Sequence, residues 1–289
     1  FKDSVNGTNA TGATTQGYGQ PEVAAVSAGA TVTATQWVTL LTPISEMASH
    51  QGTSITAITN PVLGDTIAAY AALSSNITAV TGDNRFNAAA SGNDGSVSSV
   101  TTATWTTSAV LTKTFTFASA DQLRYFFNAG GMLRFSWSRS GGTSNSQNTA
   151  WTNLFNACGV IALTGDANSK SIASVSYTGT TKIGGSGSPT TLVTTEGAYA
   201  LDGTPSLNFK QVPGAPYGSN EIEVSFSISG SVITIYTDLS DDYAPPDPAS
   251  PDNIDGTLTQ VSTIRPPSTG NLTDTWGTVT QNSPSWTQS

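Results

Sequence analysis

Glu221-Ile222-Glu223-Val224-Ser225-Phe226-Ser227-Ile228, then Ser229-Gly230-Ser231, then Val232-Ile233-Thr234-Ile235-Tyr236-Thr237-Asp238-Leu239 is the stretch that decides the fold. In each run the apolar residues fall on alternate positions, the period of a strand buried on one face only. The short Ser-Gly-Ser break between them is the chemistry of a chain reversal, so the two runs form an antiparallel hairpin.

Upstream the same period recurs. Leu133, Phe135 and Trp137 alternate with Arg134, Ser136 and Ser138, and Thr112 to Phe117 alternates within a Thr-, Ser- and Val-rich run from Val97. Helices are expected between these strands. Ser119 with Gln122 three residues on has the capping-box spacing, Leu123, Phe126 and Phe127 supply a buried stripe, and Gly130-Gly131 ends it. Thr149 to Cys158 puts Trp151, Leu154, Phe155 and Cys158 on one face ahead of Gly159, and Val160 to Leu163 returns to strand.

Nearer the N-terminus, Trp37, Leu40, Leu41, Ile44, Met47 and Ala48 recur at helical spacing after Thr33 as N-cap, with Pro43 expected to kink or break the helix. A second helix is expected over residues 65–80, with Ile67, Tyr70, Ala71, Leu73, Ile77 and Val80 on one face. The organisation that follows is an N-terminal arm (1–30), a helical and loop region (31–96), a β-rich domain (97–265) and a C-terminal arm (266–289). Its class is β-rich α+β, with antiparallel sheets, a few short helices and extended terminal arms.

Charge narrows the function. Only 10% of the 289 residues are Asp, Glu, Lys or Arg, against about 25% in an average soluble domain. Ser, Thr, Asn and Gly take the solvent positions, and such a surface can be buried against another subunit without stranding many charges. The net charge of -9 has the wrong sign for a phosphate backbone, so nucleic acid is not an expected partner. No run reaches the roughly 18 to 20 apolar residues of a membrane helix, so membrane insertion is not expected either.

Few residues carry chemistry. The single histidine, His50, has no base-and-orienter partner at motif spacing and is read as bonding across a cap or interface. Asp238, Asp241 and Asp242 offer a carboxylate pair for glycoside hydrolysis, although nothing in the local sequence suggests a burial that raises one of them. Asp241, Asp242, Asp247 and Asp252, with Asp255, offer oxygen ligands for Ca²⁺ without the EF-hand spacing. Gly184-Gly185-Ser186-Gly187 lacks the Lys-Ser or Lys-Thr of a phosphate loop and reads as a flexible turn. Trp105, Trp276 and Trp286 offer faces for sugar rings. Cys158, the lone cysteine, falls on an apolar helix face. Asn6, Asn9, Asn76 and Asn271 head Asn-x-Thr triplets that are expected by chance in a chain this rich in Asn and Thr. No catalytic residue, cofactor or firm metal site follows, and an enzyme is not expected.

The run Phe126-Phe127-Asn128-Ala129-Gly130-Gly131-Met132-Leu133-Arg134-Phe135-Ser136, followed by Ser138-Arg139-Ser140-Gly141-Gly142 and Asn148 to Trp151, resembles a recurring block in virion structural proteins of tailed bacteriophages. Tyr18-Gly19-Gln20, Trp37, Leu40 and His50-Gln51 are similar as well. The resemblance implies a structural component of the particle, in the tail, neck, baseplate or capsid exterior, whose partners are copies of itself and other virion proteins. It carries no catalytic residues. The alternative expectation is a glycan-binding adhesin or receptor-recognising fibre protein.

Overall fold

Two antiparallel sheets face one another, with most of the large apolar side chains between them. The computed structural model describes residues 1–12, 15–60, 62, 64, 70–82, 97–102, 104–167, 170–172, 175–243 and 253–289. Helices α1 (Lys2–Asn9), α2 (Ala34–Gln51) and α3 (Tyr70–Thr81) precede β1 (Val97–Thr102) and β2 (Ser108–Thr116). Then α4 (Ala120–Asn128), β3 (Met132–Ser140), α5 (Ser146–Cys158) and β4 (Val160–Leu163) alternate. The strands β5 (Lys170–Ile172), β6 (Val175–Tyr177), β7 (Thr180–Ile183), β8 (Thr191–Leu192), β9 (Ser206–Gln211), β10 (Glu221–Ser229), β11 (Val232–Ser240), β12 (Thr257–Arg265), β13 (Thr280–Gln281) and β14 (Thr287–Gln288) complete a β-rich α+β fold.

One sheet runs β1-β12-β3-β4-β7 and the other β13-β2-β11-β10-β9-β8, with β14 also on β2, while β5 and β6 pair apart from both. Every pairing is antiparallel, as expected. The deciding hairpin is β10–β11. Its register pairs Ser229 with Val232, so the turn is the two residues Gly230 and Ser231, and Gly230 sits at φ +61°, where a side chain is disfavoured. Phe135 of β3 meets Phe115 of β2 and Phe226 of β10 at 5.6 Å each, locking sheet to sheet.

Local signals place the helices well. Thr33 and Gln36 make the full capping box at α2, and Ser119 accepts from the Gln122 N–H at α4. Pro43 does not break α2, which runs through it with Pro43, Ile44 and Met47 buried. The α5 helix begins earlier than expected because Asn145 caps it by accepting from the Asn148 N–H. In α3, Leu73, Ile77 and Val80 face inward but Tyr70 is 71% exposed, and residues 65–69 lie outside the described residues.

The two terminal segments, expected as arms, lie against the molecule's own core. Val5, Ala10, Tyr18 and Val23 are buried. Asn6 donates to the Val23 carbonyl (3.0 Å) and accepts from its N–H (2.9 Å), and Asn9 donates to Pro21. The C-terminal segment buries Leu272, Trp276 and Trp286 and lays β13 and β14 along the free edge of β2. The segments also meet each other, since the Gln20 side chain donates to Thr273 O (2.9 Å) and accepts from Thr273 N–H (3.0 Å). Gly19, at φ +71°, makes this approach possible, because a Cβ there would strike the Tyr125 ring and Thr275.

The sandwich interior contains one polar bridge. Gln260 of β12 accepts from Trp137 Nε1 (2.8 Å) in its own sheet and from Thr237 Oγ1 (2.7 Å) in the other. Replacing it with an apolar residue strands two buried donors, each at about 1–3 kcal/mol. Gln260→Leu is therefore expected to reduce unfolding stability in urea by roughly 2–4 kcal/mol, whereas Gln260→Glu keeps the acceptor but buries a charge and is expected to be no better.

Candidate functional site

The residues singled out for chemistry do not come together. His50, near the C-terminal end of α2, is fully buried, with Nε2 3.0 Å from the Ala129 carbonyl and its ring edge-on to Tyr18. A carbonyl only accepts, so Nε2 carries a proton. Burial pushes its pKa below the ordinary histidine value, with the Ala129 bond opposing. His50 joins the end of α2 to the end of α4, the cap-type bond expected of it.

The acidic residues are dispersed. Asp241 is buried and accepts from Gln147 Nε2 at 2.6 Å, while Asp242 is exposed. Asp247 and Asp252 lie outside the described residues. Asp238 stands on the outward face of β11 opposite Glu223, where Lys210 bridges Glu221 and Glu223. Contrary to the sequence expectation, Asp238 is raised above the usual carboxylate range, by burial first and then by Glu223, Glu221 and Asp242. Among the described residues, no three His, Cys, Asp or Glu side chains converge as a metal-ligand set.

Asp255 has a structural task. Its carboxylate accepts from Thr143 N–H and Oγ1, from Arg139 Nη2 at 2.9 Å and from Asn148 Nδ2 at 2.6 Å. Those bonds, Thr143 first, hold its pKa low. Gly142, at φ +76°, is required beside it, since a Cβ would meet Asp255 Oδ1. Arg139, Gly142 and Asn148 of the Gly-Gly block thus serve one node that ties the β3–α5 turn to the start of β12.

The three tryptophans expected to present faces are buried. Trp105 stacks edge-on against Trp151 at 5.5 Å, and Trp276 and Trp286 anchor the C-terminal segment. Cys158 is buried, and burial pushes its thiol up to about 12. Asn6, Asn9 and Asn76 spend their side chains on backbone partners, Asn76 bridging both backbone groups of Thr56.

One group went unnoticed in the sequence. Lys113 has the inward parity of Leu111 and Phe115 on β2 and is fully buried, which lowers its pKa to about 8. The Thr112–Phe117 alternation contains it, and its parity marks it as inward-facing.

A groove of about 750 Å³ lies between α5, the 184–188 turn and the 211–217 loop. Ser146, Thr149 and Asn153 present one helix face to it, and Leu154 and Val212 line it with Tyr217. Among the described residues no charged one lines it. The glycine turn is docked rather than loose: Ser186 N–H donates to Ala157 O at the end of α5, and Gln211 Nε2 donates to Ser186 O at 3.2 Å. Gln211 is 4% exposed, and its Oε1 has no partner. Sequence reasoning missed this site; its one signal is the row of small polar residues at 146, 149 and 153 on α5.

No family model, curated protein or solved structure matches the chain.

Two titrations separate by pH. His50 is lowered in the fold, so below the ordinary value of 6.5 the unfolded chain takes up a proton first and stability falls with falling pH. Urea midpoints are expected to drop below about pH 6.5 in the wild type and to drop less in His50→Gln. Lys113 is lowered from 10.5 to about 8, so the unfolded chain binds the extra proton between those values. Stability is expected to rise with pH across that window, and the rise to vanish in Lys113→Met.

Proposed function

We propose that this chain is a structural component of a bacteriophage particle, assembling with copies of itself and with other virion proteins in the tail, neck or capsid exterior. The observation that carries the reading is an apolar face on the helical region. Among the described residues, five of the six exposed large hydrophobics fall within residues 1–70: Phe1, Val26, Val32, Val62 and Tyr70. Phe1 and Tyr70 touch at 5.1 Å between ring centroids, and Val26, Val32, Trp37 and Leu40 line a mostly apolar recess beside Lys2. Exposed apolar side chains grouped in one region of the chain are a mark of interaction sites. A second copy is the occupant that fits, because a chain of which only 10% of residues are charged can bury its surface against itself with few unpaired charges. The resemblance of the Gly-Gly block to virion structural proteins points the same way.

A glycan-recognising adhesin or fibre protein is the second reading. It loses Trp276 and Trp286, which are buried, and keeps one observation, the uncharged groove beside α5.

Light scattering on eluting protein tests the assembly reading. The wild type is expected to be oligomeric, and Val32→Glu with Tyr70→Glu to be monomeric with an unchanged thermal melt, since both residues are exposed in the single chain. A wild type that stays monomeric at millimolar concentration overturns the proposal, and an oligomer indifferent to both substitutions overturns this face.

A further inference from the structure

We infer that the groove beside α5 is a binding site for an uncharged, polyhydroxylated ligand, namely a short neutral glycan. Its volume of about 750 Å³ is within the roughly 300–1,000 Å³ of small-ligand sites. Three observations select the chemistry.

The first is charge. A carboxylated, sulfated or phosphorylated ligand entering the groove gives up water for walls that offer it no counter-charge, and burying an unpaired charge is costly. A neutral ligand avoids that cost. The second is the lining. The lining combines the hydroxyl- and amide-bearing residues Ser146, Thr149, Asn153 and Ser188 with Tyr217 and Pro213. A sugar ring has this same division, with hydroxyls around its edge and C–H groups on its faces, and an aromatic ring receives the C–H face.

The third is Gln211. Its Nε2 is used to hold the glycine turn, while its Oε1 is a buried acceptor with no partner in the folded chain. Buried polar atoms are nearly always satisfied, so an orphan acceptor just beneath the surface of a residue that lines the recess calls for a donor from outside. A ligand hydroxyl supplies one. The walls are also held in place beforehand, because the turn is fastened to α5 through Ser186–Ala157 and to β9 through Gln211, which limits the ordering cost of binding.

The site stands apart from the assembly face: none of its lining residues belongs to the helical region of residues 1–81. Its failure and the failure of the assembly reading are therefore distinguishable.

The experiment is a glycan array carrying neutral hexose and N-acetylhexosamine oligosaccharides alongside sialylated and sulfated ones, followed by calorimetry on the strongest neutral hit. Binding is expected on neutral members, weakened about tenfold or more by Asn153→Ala and by Tyr217→Ala, the size of losing one hydrogen bond or one ring contact. Asn153 is exposed and Tyr217 half-buried, so both variants are expected to fold, which circular dichroism checks. Gln211→Met, which removes the orphan acceptor, is expected to weaken binding likewise. A blank array, hits confined to anionic glycans, or neutral binding unchanged in Asn153→Ala and Tyr217→Ala each overturns the inference.

Discussion

Pairing of side-chain amides with backbone is the interaction on which the rest of this structure depends. An Asn or Gln side chain presents one donor edge and one acceptor edge, as a peptide group does, so it can hold an extended segment as a ladder rung would. Asn6 does this to Val23, Asn76 to Thr56 and Gln20 to Thr273. Asn282 extends the idea at the sheet edge, its side chain accepting from Thr114 N–H while its own N–H donates to Thr114 O. Each such bond is worth only about 0.5–1.5 kcal/mol net, but the bonds come in pairs and fix segments that have few apolar residues to bury. A chain with so few charges has little else to fasten irregular backbone with.

That mechanism explains which parts of the fold were legible in the sequence. Elements built on periodicity read directly: β3 and the β10–β11 hairpin from their period of two, and α2 and α4 from apolar stripes with Thr33 and Ser119 as caps. The terminal segments did not, because amide stitching leaves no period. Asn6 and Val23 are 17 positions apart, and Gln20 and Thr273 are 253 apart. Trp276 and Trp286 looked available for the same reason, as nothing near them in sequence announces the core in which they are buried. Lys113 went unnoticed because a lysine within a strand draws no attention, although the parity of Leu111 and Phe115 places it inward.

The chemistry was legible in part. His50 in a cap-type bond and Cys158 as a buried hydrophobe followed from their neighbours in sequence. The Asp255 node did not, since Arg139, Thr143 and Asn148 lie more than a hundred positions from it. Nor did the groove beside α5, whose walls come from three separate stretches and contain only residue types that elsewhere in this chain are ordinary surface. The groove and the apolar helical face are both consequences of one composition. A polar exterior with few charges suits contact with neutral surfaces.

The closure of the β2 edge by β13 and β14 bears on how the chain folds. These are among its longest-range contacts, with Ser289 meeting Thr107 across 182 positions. Loop closure over such distances is slow, so the topology as a whole belongs to the high contact-order class. The β2–β11–β10 ladder is formed from residues 108–240 and can exist before residues 280–288 are in place. During that interval β2 is an uncovered edge of nine residues, the kind of edge that recruits a strand from another copy. How soon residues 280–288 reach that edge is then what separates a folded chain from a set of half-finished sheets.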